Sequence, residues 1–277
     1  MRRFSLLSVL TSLCLGIAMA SFLSAPSSAE ALTIATGKAG GGYDRRAIQI
    51  EQRLEQRGIE AEILNLNGSD EISLAVCSGR AGIGILQIDA IYARSLEGCQ
   101  MKAVASYGAE VALLLFPPGS KLDELEELGP GSAVLVDTIG SGSDLFWRTI
   151  VKIENGDQGS GDAWAQARAV NDPLELANAS AEMGEIHAVL LVRKSDSPDV
   201  QSLLGQGWKL GQLWDHDLDA LEFNGGKLYL SEKLSVPTPG GRTVKDWGYT
   251  VRSFITVPRA VADGDRQRFA AITAAAQ

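Results

Sequence analysis

Gly40, Gly41 and Gly42 follow the apolar run Leu32–Thr36 by a few residues, and Tyr43 and Asp44 open a helical pattern behind them. A strand that feeds a glycine turn and then a helix aims free backbone N–H groups at one spot. The peptide dipoles add partial positive charge there, so a carboxylate, phosphate or sulfonate fits. Glycine has no Cβ, which lets a ligand approach the backbone closely. The theme returns as the strand Ala133–Val136, the turn Ile139–Asp144 and the helical stretch Leu145–Glu154. There Ser141 and Ser143 add hydroxyl donors or simply cap the helix. A plain βα turn is the competing reading of both stretches. No Gly-Lys-Ser/Thr follows the first turn, and Gly37, Gly40, Gly41 and Gly42 miss the dinucleotide spacing.

Arg45 and Arg46 fall in the first turn of a helix, where cations oppose the dipole. One reading pairs them with an anion, for which arginine offers bidentate contacts; the other leaves them solvated and offset by Asp44 and Glu51. Lys38 and Arg148 are weaker candidates of the same kind. Tyr43 either meets a solute or staples the first helix to the core. Asp89 either binds an amino group or is an ordinary first-turn residue. Asp215-His-Asp-Leu-Asp219 invites a metal, but Ala220 stands in the sixth place of an EF-hand loop and Gly226 where its last Glu belongs. No nucleophile elbow and no assignable carboxylate pair stands out, so we expect neither metal, cofactor nor enzyme.

These residues need elements to hold them. Apolar runs at Thr33–Thr36, Ala61–Leu66, Ile83–Leu86 and Lys102–Ser106 alternate with helical spacing over Tyr43–Arg57, from Asp70 to about Ser78, and over Gln87–Ser95. Such alternation predicts parallel βαβ units. Ligands of open α/β sheets bind at the carboxyl ends of the strands, so Gly40–Tyr43, Gly68–Asp70 and Gln87–Asp89 should converge on one crevice. Val111–Phe116 reads as a crossing to a second lobe. Lys121–Leu128 reads as a short helix, Trp164–Val170 as a strand, Asp172–Met183 as a helix and Tyr249–Val257 as the return crossing.

Arg2 and Arg3, an apolar run from Phe4 to Leu23, and small residues up to Ala29 have the pattern of a cleaved signal peptide over residues 1–29. An uncleaved anchor is the alternative. The expectation is export to the periplasm. The net charge of −9 argues against nucleic acid as a partner. Cys77 and Cys99 remain after cleavage. Both should lie at the edge opposite the crevice, which favours a disulfide over two separate buried thiols.

Ile34–Tyr43 (IATGKAGGGY), Gly68-Ser69 and Ser78–Asp89 (SGRAGIGILQID) together resemble the TAXI-type solute-binding proteins of TRAP transporters. Gly140–Ser143 looks like that family's second glycine-serine turn, and Gly184–Val192 (GEIHAVLLV) like the strand after it. The similarity covers nearly the whole mature chain. Ile72, Gly82, His187 and the Arg45-Arg46 pair depart from the family pattern.

The resemblance implies a type II periplasmic binding-protein fold. That is an α/β, two-lobed architecture with mainly parallel sheets and two hinge crossings. Lobe 1 would comprise residues 32–116 plus 250–277, and lobe 2 residues 117–249. It implies a receptor that closes on a small solute, a carboxylate or amino acid, and delivers it to membrane transporter subunits. The positions it marks are Thr36, Gly41, Tyr43, Ser69, Gln87, Asp89, Ser141 and Ser143, to which the dipole argument adds Arg45. Two other functions fit the same fold, a sensor that signals to a membrane partner and an exported enzyme.

Overall fold

Thr33 and Ile34 are β-branched and their neighbours apolar, so Leu32–Thr36 is extended as β1. The computed structural model describes residues 31–277; the signal-peptide reading falls on residues outside the described ones. β1 leads into α1 (Gly42–Glu55), β2 (Ala61–Asn65), α2 (Ser69–Cys77), β3 (Ile83–Gln87) and α3 (Ile88–Leu96). Ala47, Ile50 and Leu54 recur at helical spacing, and all three are buried under the sheet. Both neighbours of β1, β2 and β3, run parallel to it.

The chain then crosses on β4 (Met101–Phe116). The expected fourth strand and the expected crossing are therefore one continuous strand of 16 residues. A second parallel group follows, with β5 (Ala133–Leu135), α4 (Gly142–Glu154), β6 (Arg168–Val170), α5 (Ala177–Glu182), β7 (Ala188–Arg193), α6 (Pro198–Gly205) and β8 (Lys209–Gly211). Strand β5 lies parallel to both β6 and β7. Next come α7 (His216–Ala220), the small hairpin β9 (Glu222–Phe223) and β10 (Gly226–Lys227), and β11 (Leu230–Pro237). The chain returns on β12 (Thr243–Pro258) and closes with α8 (Arg259–Gly264) and α9 (Arg266–Ala276).

The strands run in the order β2-β1-β3-β12-β4-β7-β5-β6. Two parallel wings are thus joined by the long antiparallel pair β4 and β12, matched from Met101↔Pro258 to Ala112↔Tyr249. Each of these strands belongs to one wing at one end and to the other wing at the other end. Ser253–Thr256 of β12 pair with β3, and Val111–Leu115 of β4 pair with β7. One apolar cluster, including Ile72 and Ile91 from the first wing and Phe146 and Ile150 from the second, runs across both.

Three expected elements differ. Lys121–Leu128 forms only a 3-10 turn at Leu125–Glu127. Here the backbone pairs instead with the residue after β8, Leu125 N–H donating to Gln212 O at 2.9 Å and Gln212 N–H to Asp123 O at 2.8 Å. Trp164 sits in a 3-10 turn rather than a strand, because its buried indole N–H reaches Asp215 Oδ2 at 3.2 Å. The helix expected over Asp172–Met183 splits into a 3-10 turn, Leu174–Leu176, and α5.

Candidate functional site

The N-termini of α1, α2 and α4 and the carboxyl end of β3 meet at a crevice of about 830 Å³ between the wings. Gly41, Tyr43, Arg45, Ser69, Gln87 and Ser141 line it. First-turn N–H groups have no partner inside their own helix, so three sets of donors converge here. The two turns touch. A Cβ on Gly68, before α2, would lie 2.1 Å from the Gly140 carbonyl oxygen, before α4. Only glycine permits that approach.

Each helix start is held by a local device. Gly41 N–H donates to Lys38 O at 3.0 Å, and Asp44 Oδ2 accepts the Gly40 N–H at 2.7 Å. Ser69 Oγ accepts the Gln87 N–H at 3.1 Å, which ties α2 to the end of β3. Ser141 caps α4, its Oγ accepting from Asp144 N–H at 3.2 Å and donating to Val136 O at 3.3 Å. Its hydroxyl is therefore committed to the cap. Arg45 Nη1 donates to Gly40 O at 2.6 Å and lines the crevice beside the first turn. Arg46 faces elsewhere, donating to Ala276 O at 2.6 Å, and anchors the last helix.

Three of the marked residues do not face the crevice. Thr36 is fully buried, and its Oγ1 has no hydrogen-bond partner. Ser143 is also fully buried, and its Oγ accepts the Val192 N–H at 2.9 Å. That bond pins α4 to β7. Asp89 is enclosed, with Oδ1 accepting Ala90 N–H at 2.9 Å and Oδ2 accepting the Tyr229 hydroxyl at 3.4 Å. Desolvation pushes its carboxyl up to about 7.

Sequence reasoning passed over Glu110, Asp137 and Arg193. Glu110 sits on the crossing strand β4, partly buried, with Gln87 Nε2 3.5 Å from Oε2. Burial pushes its carboxyl above the ordinary range, partly offset by the field of Arg193. Asp137 follows β5 with φ of 64°, a left-handed conformation that costs free energy for any residue with a Cβ. Its carboxylate pairs with the Arg193 guanidinium, which also donates to Asp199 Oδ2 at 3.2 Å. The carboxyl-end rule was enough to find two of them, since Asp137 and Arg193 close β5 and β7.

Tyr43 packs edge-to-face on Tyr107 at 5.1 Å, and its hydroxyl is 2.7 Å from Ser253 Oγ. Burial, then the charge of Glu110, pushes its pKa well above the ordinary value, so it stays neutral. Trp147 and Trp164 form a buried edge-to-face pair in the core, away from the crevice. The Asp215–Asp219 segment is a helix start, Asp215 Oδ1 accepting the N–H groups of Asp217 and Leu218, both at 2.9 Å. Among the described residues no His, Cys, Asp and Glu cluster suits a metal ion, and no helix is long and apolar enough to cross a membrane. Cys77 and Cys99 are joined as a disulfide, with Cα atoms 5.8 Å apart. The bridge lies at the far end of α2 from the crevice, ~13 Å away at 1.5 Å per residue.

No family model matches the chain, and comparison with curated proteins gives no match. Solved structures do match. The chain is similar to the periplasmic aliphatic sulphonate binding protein SsuA from Escherichia coli, with a TM-score of 0.51 and 17% identity over 90% of this chain and 69% of that one. It is also similar to XAC2383 from Xanthomonas citri bound to ATP, with a TM-score of 0.53 and 13% identity over 89% and 82%. A TRAP periplasmic solute binding protein from Sulfitobacter sp. NAS-14.1 matches at a TM-score of 0.47 and 8% identity over 89% and 78%, too distant to bear on the assignment. The architecture is the two-lobed α/β fold of type II periplasmic binding proteins. At these identities the likeness is one of fold.

Proposed function

We propose that the chain is an exported receptor that closes on a small carboxylate-bearing solute, an amino acid or organic acid, and delivers it to a TRAP-type membrane transporter in the manner of TAXI-type proteins. The observation that carries this reading is the meeting of three helix N-termini, two from one wing and one from the other, around one crevice. Lobe 1 is residues 32–116 plus 250–277 and lobe 2 is residues 117–249, hinged on β4 and β12. A solute carboxylate accepts from the free N–H groups of Gly42 and Tyr43 and, across the gap, of Gly142, with Arg45 adding charge. Bridging both lobes, it stabilises the closed form by its differential affinity for that form.

The reading is tested by calorimetric titration of the mature protein with carboxylates and amino acids. Gly41→Val, whose Cβ lies 2.9 Å from Lys38 O, and Ser141→Pro should each weaken the best ligand at least ~10-fold. Unchanged affinity in both variants would remove the site assignment.

A further inference from the structure

The crevice has two poles of different chemistry. One is the donor-rich pole of helix starts described above. The other is built from Gln87, at the end of β3, and Glu110, on the crossing strand β4; both line the crevice. Glu110 belongs to no ion pair among the described residues. The nearby Arg193 guanidinium is held by Asp137 and Asp199 instead. Gln87 is 1% exposed, and its Oε1 has no hydrogen-bond partner. Its Nε2 makes only the long 3.5 Å contact with Glu110. Turning the amide over would bring its oxygen against the carboxylate, so Glu110 fixes its orientation. The amide packs against the second lobe at Gly142, where a Cβ would meet Gln87 Nε2 at 2.7 Å.

Arg193 and Lys194 also line the crevice and act on Glu110 only through their field, without an ion pair. A half-buried carboxylate with no cation in contact and a buried amide with an unpaired oxygen both carry a free-energy cost. A ligand group that is positively charged and rich in N–H donors relieves it. A plain carboxylate there adds repulsion. A quaternary ammonium supplies charge without N–H groups and wants aromatic faces around it, whereas Tyr43 and Tyr107 stand edge-to-face with each other.

We propose that Glu110, positioned by Gln87, accepts a primary or secondary ammonium group of the solute, so that the protein selects ammonium carboxylates over plain organic acids and over quaternary ammonium compounds. This rests on the receptor reading above and narrows its solute class. The ammonium sits between Glu110 and the Gln87 amide while the carboxylate of the same molecule reaches the starts of α1 and α4, and one small zwitterion therefore spans both lobes.

The test is a thermal-shift screen followed by calorimetry on the mature protein. The probes are the common L-amino acids, their 2-hydroxy-acid counterparts and their N-trimethyl derivatives. The best amino acid should bind at least ~100-fold more tightly than either counterpart, because a site built for N–H donors rejects analogues that lack them. Glu110→Gln should reduce that gap to below ~10-fold, and Glu110→Asp should keep the preference at weaker affinity. A melting temperature of the unliganded Glu110→Gln protein at or above that of the original chain shows that the fold survives.

Equal or tighter binding of the hydroxy acids overturns the inference and leaves the receptor reading standing. An amino-acid preference that Glu110→Gln leaves whole removes Glu110 from the role. No response to any probe in any variant overturns the receptor reading, and the inference falls with it.

Discussion

Asp44 and Asp144 hold equivalent places in the two halves of the molecule. Asp44 Oδ2 accepts the Gly40 N–H at 2.7 Å, and its Oδ1 accepts from Asn65 Nδ2 at 2.7 Å. Asp144 Oδ2 accepts the Gly140 N–H, and its Oδ1 accepts from Asn171 Nδ2, both at 2.9 Å. Each asparagine also donates back to the turn after its neighbouring strand, Asn65 to Gly37 O at 2.9 Å and Asn171 to Asp137 O at 3.1 Å. Each glycine is left-handed, at φ of 77° and 82°. A clamp of the same parts thus fixes both turns, from opposite sides of the crevice.

Asp44→Asn should lower stability by about 1–2 kcal/mol, since the amide offers one acceptor where two donors arrive. The Asn65 and Gly40 bonds hold the Asp44 carboxyl below its ordinary pKa. A depressed folded pKa means stability that is present above the unfolded value of about 3.9 and lost as pH falls through the folded value. Urea midpoints of the parent and Asp44→Asn should therefore differ at pH 7 and draw together below about pH 4. A constant gap would contradict the clamp.

Asp89 has the opposite sign. Its folded pKa is raised to about 7 by burial, which outweighs the Ala90 N–H, the Tyr229 hydroxyl and its own backbone N–H, with the charge of Glu110 adding to the rise. The native state then holds a proton that the unfolded chain releases near pH 3.9, so its contribution falls as pH rises from about 4 to about 7. Asp89→Asn should raise the melting temperature at pH 8 relative to the parent and leave it little changed at pH 4. A lower melting temperature at pH 8 would show that the charged form is needed.

The Cys77–Cys99 bridge spans a sequence separation of 22. In the chain-entropy account its removal costs about 3 kcal/mol. A Cys77→Ser/Cys99→Ser protein should melt lower yet bind its solute as before, because the bridge is a helix length from the crevice. Lost binding at temperatures where the protein is still folded would tie the bridge to the site.

Closure has its own probes. Arg148 of α4 donates to Asp70 Oδ2 of α2 at 3.0 Å and to Asp144 Oδ2 at 3.0 Å, while Arg94 holds the other Asp70 oxygen. Arg148 is 47% exposed, so the pair across the wings is worth at most ~1 kcal/mol. Arg148→Ala should shift scattering profiles toward the open form at low salt and weaken binding severalfold, with the difference fading at high salt. Gly68→Val should do more, since its side chain meets the Gly140 carbonyl. We expect at least ~100-fold weaker binding with the fold kept, read by calorimetry beside circular dichroism.

Much of this was legible in the sequence because it follows from short-range pattern. Ala47, Ile50 and Leu54 give α1 its period, Ile83–Leu86 reads as a buried strand, and two glycine turns announce two βα units. The strand-end rule led to one crevice for Gly41, Tyr43, Ser69 and Gln87, which line it together with Ser141 of the second glycine turn, whereas Asp89 lies behind the lining. What stayed hidden depends on rotamers and on distant partners. Ser143 and Tyr43 look equally free in sequence, yet β7 claims the Ser143 hydroxyl while the Tyr43 ring lines the crevice. Glu110 sits within a strand that reads as two pieces broken near Gly108, so nothing local marks it as a lining residue. The repeated Gly-x-x-x-Asp spacing was visible, but the asparagines that complete each clamp arrive from neighbouring strands far along the chain.

The central claim is that this crevice holds a small solute between two lobes. Native mass spectrometry of the mature protein, purified without refolding, tests it most directly. The account predicts a bound small molecule that denaturation releases and that the Gly68→Val protein does not carry. An empty parent protein whose melting temperature moves with neither carboxylates nor amino acids would contradict it.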